Sequence, residues 1–437
     1  MSDTQTARPH PTKSTLLLLG TLTAYGAVSI DLYLPGMPAI GRSLGVDSGA
    51  VQHTMAAFFI GMSLGQMIYG PLSDRMGRRP LLLFGAAVYV AASLLCALAP
   101  SIEWLVAGRF VQALGACSGV VLARAIVRDR FDHQDSARIF SLLMLVLGIA
   151  PILAPTLGGW LVGWVGWRGI FGALAAFGVA TFVAVALWLP ESRSAATAEL
   201  ARNEHVGLSY AAMLRNPRFL GFLLTGAFNG ATLFAYISNA PDLLIDQLGF
   251  DIAQFGWLFA LLAVAVIGSG QVNRLLLDHI PSMRILHVAS AVGVVIGIVL
   301  LGVAASGVGG RWLLLAVLFA ALASYGFIAT NTTAAALSVD PQRAGTASAL
   351  IGAGSFAMGA LASLLAGALH DGTPLPMAAI MAGALTLSAL SLFGLLGMFL
   401  MARRFGPRRI VLPNFYANDP NRVAGRIVPL GLSGLHT

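Results

Sequence analysis

The chain is written in long apolar blocks separated by short polar ones. A bilayer core about 30 Å thick takes roughly 20 apolar residues of helix to cross. Twelve stretches reach that length: 15–38, 51–72, 80–99, 104–127, 138–162 and 168–189, then 218–240, 252–277, 284–305, 311–337, 344–369 and 375–402. The fifth and sixth are separated only by the turn around Gly163–Trp167, which predicts a helical hairpin. The longest internal polar stretch, 190–217, divides the twelve six and six. The pattern predicts an all-α integral membrane protein of twelve transmembrane helices in two six-helix bundles. Its parts are an N-terminus at 1–14, a first bundle at 15–189, a linker at 190–217, a second bundle at 218–402 and a tail at 403–437.

Composition sharpens this picture. Of 437 residues, 57% are hydrophobic and only 10% charged, against about a quarter charged in a soluble domain. Too few charges remain to cover a water-facing surface. The 50 glycines suit helices that pack closely in lipid. The net charge of +8 would suggest nucleic acid in a soluble chain. Here it follows from where the arginines lie, since cytoplasmic loops collect them. Arg8 and Lys13 precede the first span, and Arg75, Arg78, Arg79, Arg128, Arg130, Arg138, Arg193, Arg202 and Arg215 follow even-numbered ones. Arg403, Arg404, Arg408 and Arg409 lie in the tail. Both termini and the linker are therefore expected in the cytoplasm, with no nucleic-acid partner. Cys96 and Cys117 fall inside apolar runs, which argues against a disulfide or metal site. The basic, apolar N-terminus is signal-like, but its apolar run continues past Tyr25 to Leu34, so it reads as a retained first span.

The loop after the second span reads GPLSDRMGRRP, residues 70–80. Gly70, Asp74, Arg75, Gly77, Arg78 and Arg79 resemble the signature loop of the major facilitator superfamily, and with the six-plus-six arrangement the resemblance covers nearly the whole chain. It implies that family's fold and a conformational lock in this loop. In the family the loop's aspartate sits near the start of the eleventh helix. Here Asp340 and Pro341 read as that helix's N-cap and first position. Asp74 is thus expected against the positive end of the helix dipole, and Arg78 against Asp129 at the foot of the fourth span.

Three further stretches resemble motifs of drug/proton antiporters. DLYLPGMP in span one resembles their aspartate-and-proline motif, and GRFVQALGACSG in span four resembles their arginine-and-glutamine motif through Arg109, Gln112 and Gly115. GIAPILAPTLGGWL in span five resembles the exporters' antiporter motif through Gly148, Pro155, Gly158 and Gly159, with Ala154 where glycine is usual. Together they are similar to the Bcr/CflA group of bacterial multidrug exporters, which includes bicyclomycin and chloramphenicol efflux proteins. The resemblance implies a proton-coupled exporter, multi-pass in the bacterial inner membrane. An exporter of a metabolite or sugar with the same coupling is the alternative reading, and a monomer is expected.

Among the eighteen acids only Asp31 lies well inside a span. A charge there costs roughly 3 kcal/mol or more. Arg109 is the basic residue most clearly inside. Counting 1.5 Å per residue puts Asp31 roughly 24 Å and Arg109 roughly 22 Å above the cytoplasmic edge, so a facing pair is expected. Burial raises a carboxyl's pKa and a guanidinium lowers it, which suits a group that loads and releases protons during alternating access. A static pair pinning the helices is the competing reading. Thr23 stands where a second acid could sit, and with Asp31 offset by Arg109 the pocket has little net negative charge, so neutral or weakly charged amphipathic substrates are expected.

Candidate cavity walls are Tyr25, Tyr33, Met55, Phe58, Phe59 and Gln112 in the first half, with Asn229, Phe234, Tyr236, Asn239, Tyr325 and Asn331 in the second. Aromatics with a few amides suit varied apolar ligands. No phosphate loop of the GxxxxGK type occurs, no histidines stand at metal-ligand spacing, and the GSG and GAGS strings lack a strand–turn–helix context. No enzyme, cofactor or metal is expected.

Overall fold

The structure is a computed structural model describing residues 13–194, 197–199 and 205–405. The first twelve residues, parts of the linker and the tail beyond residue 405 lie outside the described residues, and with them the expectations placed there. Among the described residues all regular structure is helical. The helices are α1 (Lys13–Asp31), α2 (Met37–Leu44), α3 (Ser48–Met76), α4 (Arg78–Ala97), α5 (Ile102–Arg130), α6 (His133–Trp188) and α7 (Val206–Leu214). They continue with α8 (Pro217–Pro241), α9 (Ile252–Leu277), α10 (Ser282–Ser306), α11 (Gly310–Leu337), α12 (Ala344–Ala368) and α13 (Leu375–Phe405).

Among the described residues eleven helical runs are long and apolar enough to cross a bilayer. One of them, Arg138–Trp188, has 51 residues, about twice what a crossing needs. It is broken at Gly166, whose φ of 68° and ψ of 179° suit a residue without a Cβ. α6 is therefore long enough to cross twice, which makes twelve passes among the described residues. The expected hairpin turn is this single glycine.

Lipid-facing surface is legible in the packing. α10 leaves Val288, Val292, Val295 and Val299 exposed, an apolar stripe at helical spacing. The interior uses small residues instead. A Cβ on Gly61 would lie 2.6 Å from the Phe110 carbonyl, and one on Gly115 would lie 2.6 Å from the Tyr89 nitrogen. Such contacts let α3, α4 and α5 pack backbone to backbone.

The first span departs from the expected single helix over 15–38. α1 stops at Asp31, a 3-10 turn follows at Leu34–Gly36, and α2 resumes at Met37. The cause is Pro35, which has no N–H to give the Asp31 carbonyl. The chain tightens, and Gly36 N bonds to Tyr33 O at 2.9 Å. The linker also departs from expectation, since it carries the short helix α7.

The halves meet chiefly along α3 with α12 and along the first arm of α6 with α9. At the end of α3 away from the linker the contact is close. Gln52 Nε2 donates to Asn239 Oδ1 at 2.9 Å, and Ser363 Oγ donates to the Gln52 carbonyl at 3.1 Å. Gly49 and Gly367 touch backbone to backbone. Midway, Ser63 Oγ donates to the Ala353 carbonyl at 2.8 Å. Beyond Gln66 the helices diverge, and a cavity of about 440 Å³ opens on the linker side.

Candidate functional site

Asp31 ends α1 with its side chain 3% exposed. The turn that follows it packs against α6, α8 and α9. The helix break thus carries a carboxylate to the junction of the two halves. Tyr236 of α8 lies within electrostatic reach of Asp31. Its ring stacks on Phe259 at 5.6 Å, and among the described residues its hydroxyl has no hydrogen-bond partner.

The expected Asp31–Arg109 pair is not formed. Arg109 is fully buried within the first half. Its Nη1 donates to Gln112 Oε1 at 2.6 Å and to the Ser29 carbonyl at 3.1 Å, and Nη2 reaches Met55 Sδ at 3.7 Å. The guanidinium lies over Tyr33 at 4.5 Å and Phe58 at 4.2 Å. Ring faces, an amide and a carbonyl replace the carboxylate expected there. The physical reason is the break itself. Tyr33 N turns to Ile30 O, so the Ser29 carbonyl needs a donor, and Arg109 supplies it. Gln112 is fixed in turn, since its Nε2 donates to Ser93 Oγ at 2.7 Å.

This shell reassigns several expected cavity walls. Tyr33, whose hydroxyl bonds Thr54 Oγ1 at 2.6 Å, Met55, Phe58 and Gln112 surround Arg109 inside the first bundle. Tyr25 packs on Tyr89 and Phe177, also within that bundle. In the second half Asn229 Nδ2 donates to the Tyr325 carbonyl at 3.1 Å, tying α8 to α11. Asn331 bonds Asn273 and Ser282, tying α11 to α9 and α10. Each of these buried amides thus spends a hydrogen bond on a neighbouring helix of the same half, which makes them structural ties. At the interface between halves lie Asp31 and Tyr236, near each other, Phe234 against Phe59, and Asn239 on Gln52. Phe59 meets Phe234 at 4.6 Å, and Phe356 meets Phe234 at 4.9 Å. Phe356, Gln52 and Ser63 were missed by the sequence reading, because an isolated aromatic or amide in an apolar helix carries no sign of its facing.

The antiporter-motif residues line contacts rather than a pocket. Gly158 faces the Leu32 carbonyl just past Asp31, where a Cβ would also come 2.9 Å from Pro35 Cγ. Gly159 faces Ile252 and Gly148 faces Ile267, both on α9. Pro155 is buried between them in the same arm. One side of the arm thus seats the break carrying Asp31, and the other seats the opposite half.

The signature loop forms a network on the linker side. Arg78 bonds Asp129 Oδ2 at 2.9 Å, Asp74 Oδ1 at 2.6 Å and Ser73 Oγ. Asp74 is not seated on the start of α12 as expected. The two line the same cavity, and with the halves apart the carboxylate turns to Arg78. Asp340 does cap its own turn, accepting from Gln342 N at 3.2 Å. Gly70 also lines the cavity, and Gly77 makes the turn with φ 104°. Arg79 donates to the Ala186 carbonyl at 2.7 Å. Glu191, just past α6, is a member the sequence reading left in the linker. It accepts from Arg78 N at 2.9 Å and Arg79 N at 3.1 Å, capping α4. Partial burial pushes its carboxyl up, but the N–H groups of Arg193, Arg78, Arg79 and Ser192 outweigh that and hold it below its ordinary value. Arg193 in turn donates to the carbonyls of Asp74 and Arg75.

Residues 17–363 match the family model described as Major Facilitator Superfamily. The chain belongs to that superfamily. It is 34% identical over 86% of its length to an uncharacterized MFS-type transporter, YdgK, of Bacillus subtilis, covering 94% of that protein. It is 29% identical to a bicyclomycin resistance protein homolog of Haemophilus influenzae, with 89% of this chain and 97% of that one aligned. The crystal structure of a D-xylose-proton symporter superposes with a TM-score of 0.68 at 14% identity, over 87% of this chain and 96% of that one, a likeness of fold. The chain is a multi-pass membrane transport protein of this superfamily and not an enzyme, and its relatives include drug-resistance proteins of the Bcr/CflA type.

Proposed function

We propose that this transporter exports drug-like amphipathic compounds from the cytoplasm in exchange for protons, by alternating access across a bacterial inner membrane. The linker side is the cytoplasmic side on the arginine distribution. The observation that carries the reading is Asp31, a buried carboxylate without an ion-pair partner among the described residues, placed where the halves meet. A group whose surroundings differ between the two facing states can be protonated in one and ionised in the other, which is what couples two fluxes. In the form described, the far side is closed by Gln52, Asn239 and Ser363 while the linker side is open. Swinging the halves the other way would uncover Asp31 to the far side, where protons are in excess, and bring Asp74 to the start of α12. Arg109 acts here as a positioning group that holds the end of α1. The bicyclomycin-resistance relative makes bicyclomycin a suitable first cargo.

The test uses proteoliposomes with an imposed pH gradient. Wild type is expected to move bicyclomycin against its gradient and to acidify or alkalinise the lumen in step. Asp31→Asn, correctly folded, is expected to do neither. Proton-linked bicyclomycin flux that survives in Asp31→Asn would overturn the assignment.

A further inference from the structure

The cavity on the linker side has a lining the transport reading does not use. It presents five guanidinium groups, Arg75, Arg78, Arg124, Arg128 and Arg343, against one carboxylate, Asp74. The acids nearby are already engaged. Asp74 and Asp129 bind Arg78, Asp340 binds Arg343 at 2.8 Å, and Glu191 caps α4. Arg124 and Arg128 stand one turn apart on α5, on the face toward the cavity. Arg124 Nε donates to its own helix at Val120 O, 3.2 Å away. Among the described residues neither arginine has a carboxylate within ion-pair distance. Placing two like charges one turn apart beside a partly enclosed space costs energy unless an anion answers them. The rest of the lining is mainly apolar or hydroxylic, including Val121, Phe140, Leu337, Thr346 and Ser348, with the amides of Gln66 and Gln342.

We propose that this cavity is a recognition site for an anionic amphiphile, with a phosphate or carboxylate on Arg124 and Arg128 and an apolar body against Val121, Phe140 and Leu337. Paired planar forks suit a bidentate oxyanion, and a volume of about 440 Å³ holds a small amphiphile. Helices of both halves line it, so an occupant bridges them and favours the form open on this side. The site refines the expected preference for neutral compounds, which rested on an Asp31–Arg109 pair the structure does not contain. It relies on the transport reading only for its place on the route, and its test reads binding without transport.

Purified full-length protein in phosphatidylcholine nanodiscs is titrated with octyl phosphate and with 1-octanol. Octyl phosphate is expected to bind roughly ten-fold or more tightly than octanol. The Arg124→Gln/Arg128→Gln variant is expected to lose that advantage, the double lysine variant to keep part of it, and Arg274→Gln, remote on α9, to keep it whole. Should the glutamine variant fail to fold, raising salt from about 50 to about 500 mM on wild type is expected to weaken octyl phosphate by a similar factor while sparing octanol. Phosphatidylglycerol in the nanodisc separates the sources. Competition with octyl phosphate assigns the site to a lipid headgroup, and absence of competition assigns it to a free amphiphile. Equal binding of octyl phosphate and octanol, or equal binding by wild type and the double glutamine variant, would overturn the proposal.

Discussion

Arg109 donates from Nη1 to the main-chain carbonyl of Ser29 at 3.1 Å. That carbonyl lies two residues before the end of α1, where Pro35 has interrupted the helix ladder. A cation at a helix C-terminus also complements the dipole. The arginine thus holds the break on which Asp31 sits, from behind, while the carboxylate turns toward the second half. A shift of the second half can then change the surroundings of Asp31 without disturbing Arg109.

Replacing Arg109 by lysine keeps the charge but loses the fork that reaches Ser29, Gln112 and Met55 together. The expected cost is about 2 kcal/mol, the scale of a hydrogen bond to a charged group, read as a lowered unfolding temperature of the purified protein. Transport is expected to fall by more than this, because the end of α1 is no longer held.

Gly158 is expected to tolerate no side chain. A Cβ there would strike the Leu32 carbonyl and press on Pro35. Gly158→Val should cost about 2 kcal/mol by overpacking and abolish transport. Gly163→Ala, in open space on the same helix, should leave both unchanged. Thermal unfolding and bicyclomycin efflux read the two effects.

The Gln52–Asn239 bond is expected to hold the far side shut. Gln52→Ala leaves the Asn239 carbonyl oxygen without its donor at a cost of about 1–2 kcal/mol, which shifts the two-state balance roughly ten-fold. Labelling of Ser363→Cys by a membrane-impermeant maleimide added from the far side should speed up by about that factor. Unchanged labelling would show that the gate is held elsewhere.

Much of this was legible in the chain and some was not, for physical reasons. Span number and the Arg78–Asp129 pair follow from local patterns, because lipid demands long apolar helices and a signature loop carries its partners close by. The Asp31–Arg109 pair was not legible. Depth counting gives height and not facing, and Pro35 ends α1 at Asp31, so the guanidinium at that height meets the freed Ser29 carbonyl and not the carboxylate. Tyr25, Asn229 and Asn331 look like cavity residues in sequence. Their facing is set by helix rotation, which a helix hydrophobic on all sides does not reveal. Glu191 was missed because its partners are backbone N–H groups that leave no trace in residue types.

Glu191 gives a pH dependence with a definite sign. Its carboxyl is held below its ordinary value by four N–H donors that outweigh partial burial. Its stabilising effect is therefore present above the ordinary carboxylate value of about 4.3 and is lost as pH falls through the lower folded value. The group is largely exposed, so the effect is about 0.5 kcal/mol after screening. Glu191→Gln should lower the unfolding temperature slightly at neutral pH and leave the variant level with wild type in acid.

Proton release on cargo binding tests the central role of Asp31 most directly. Purified protein in weakly buffered detergent solution, just below the pH at which the site ionises, is mixed with bicyclomycin, and proton release is followed with a pH dye. Wild type is expected to release protons on binding, and Asp31→Asn to bind without release. Release of the same size from Asp31→Asn would contradict the account and place the coupling proton on another residue.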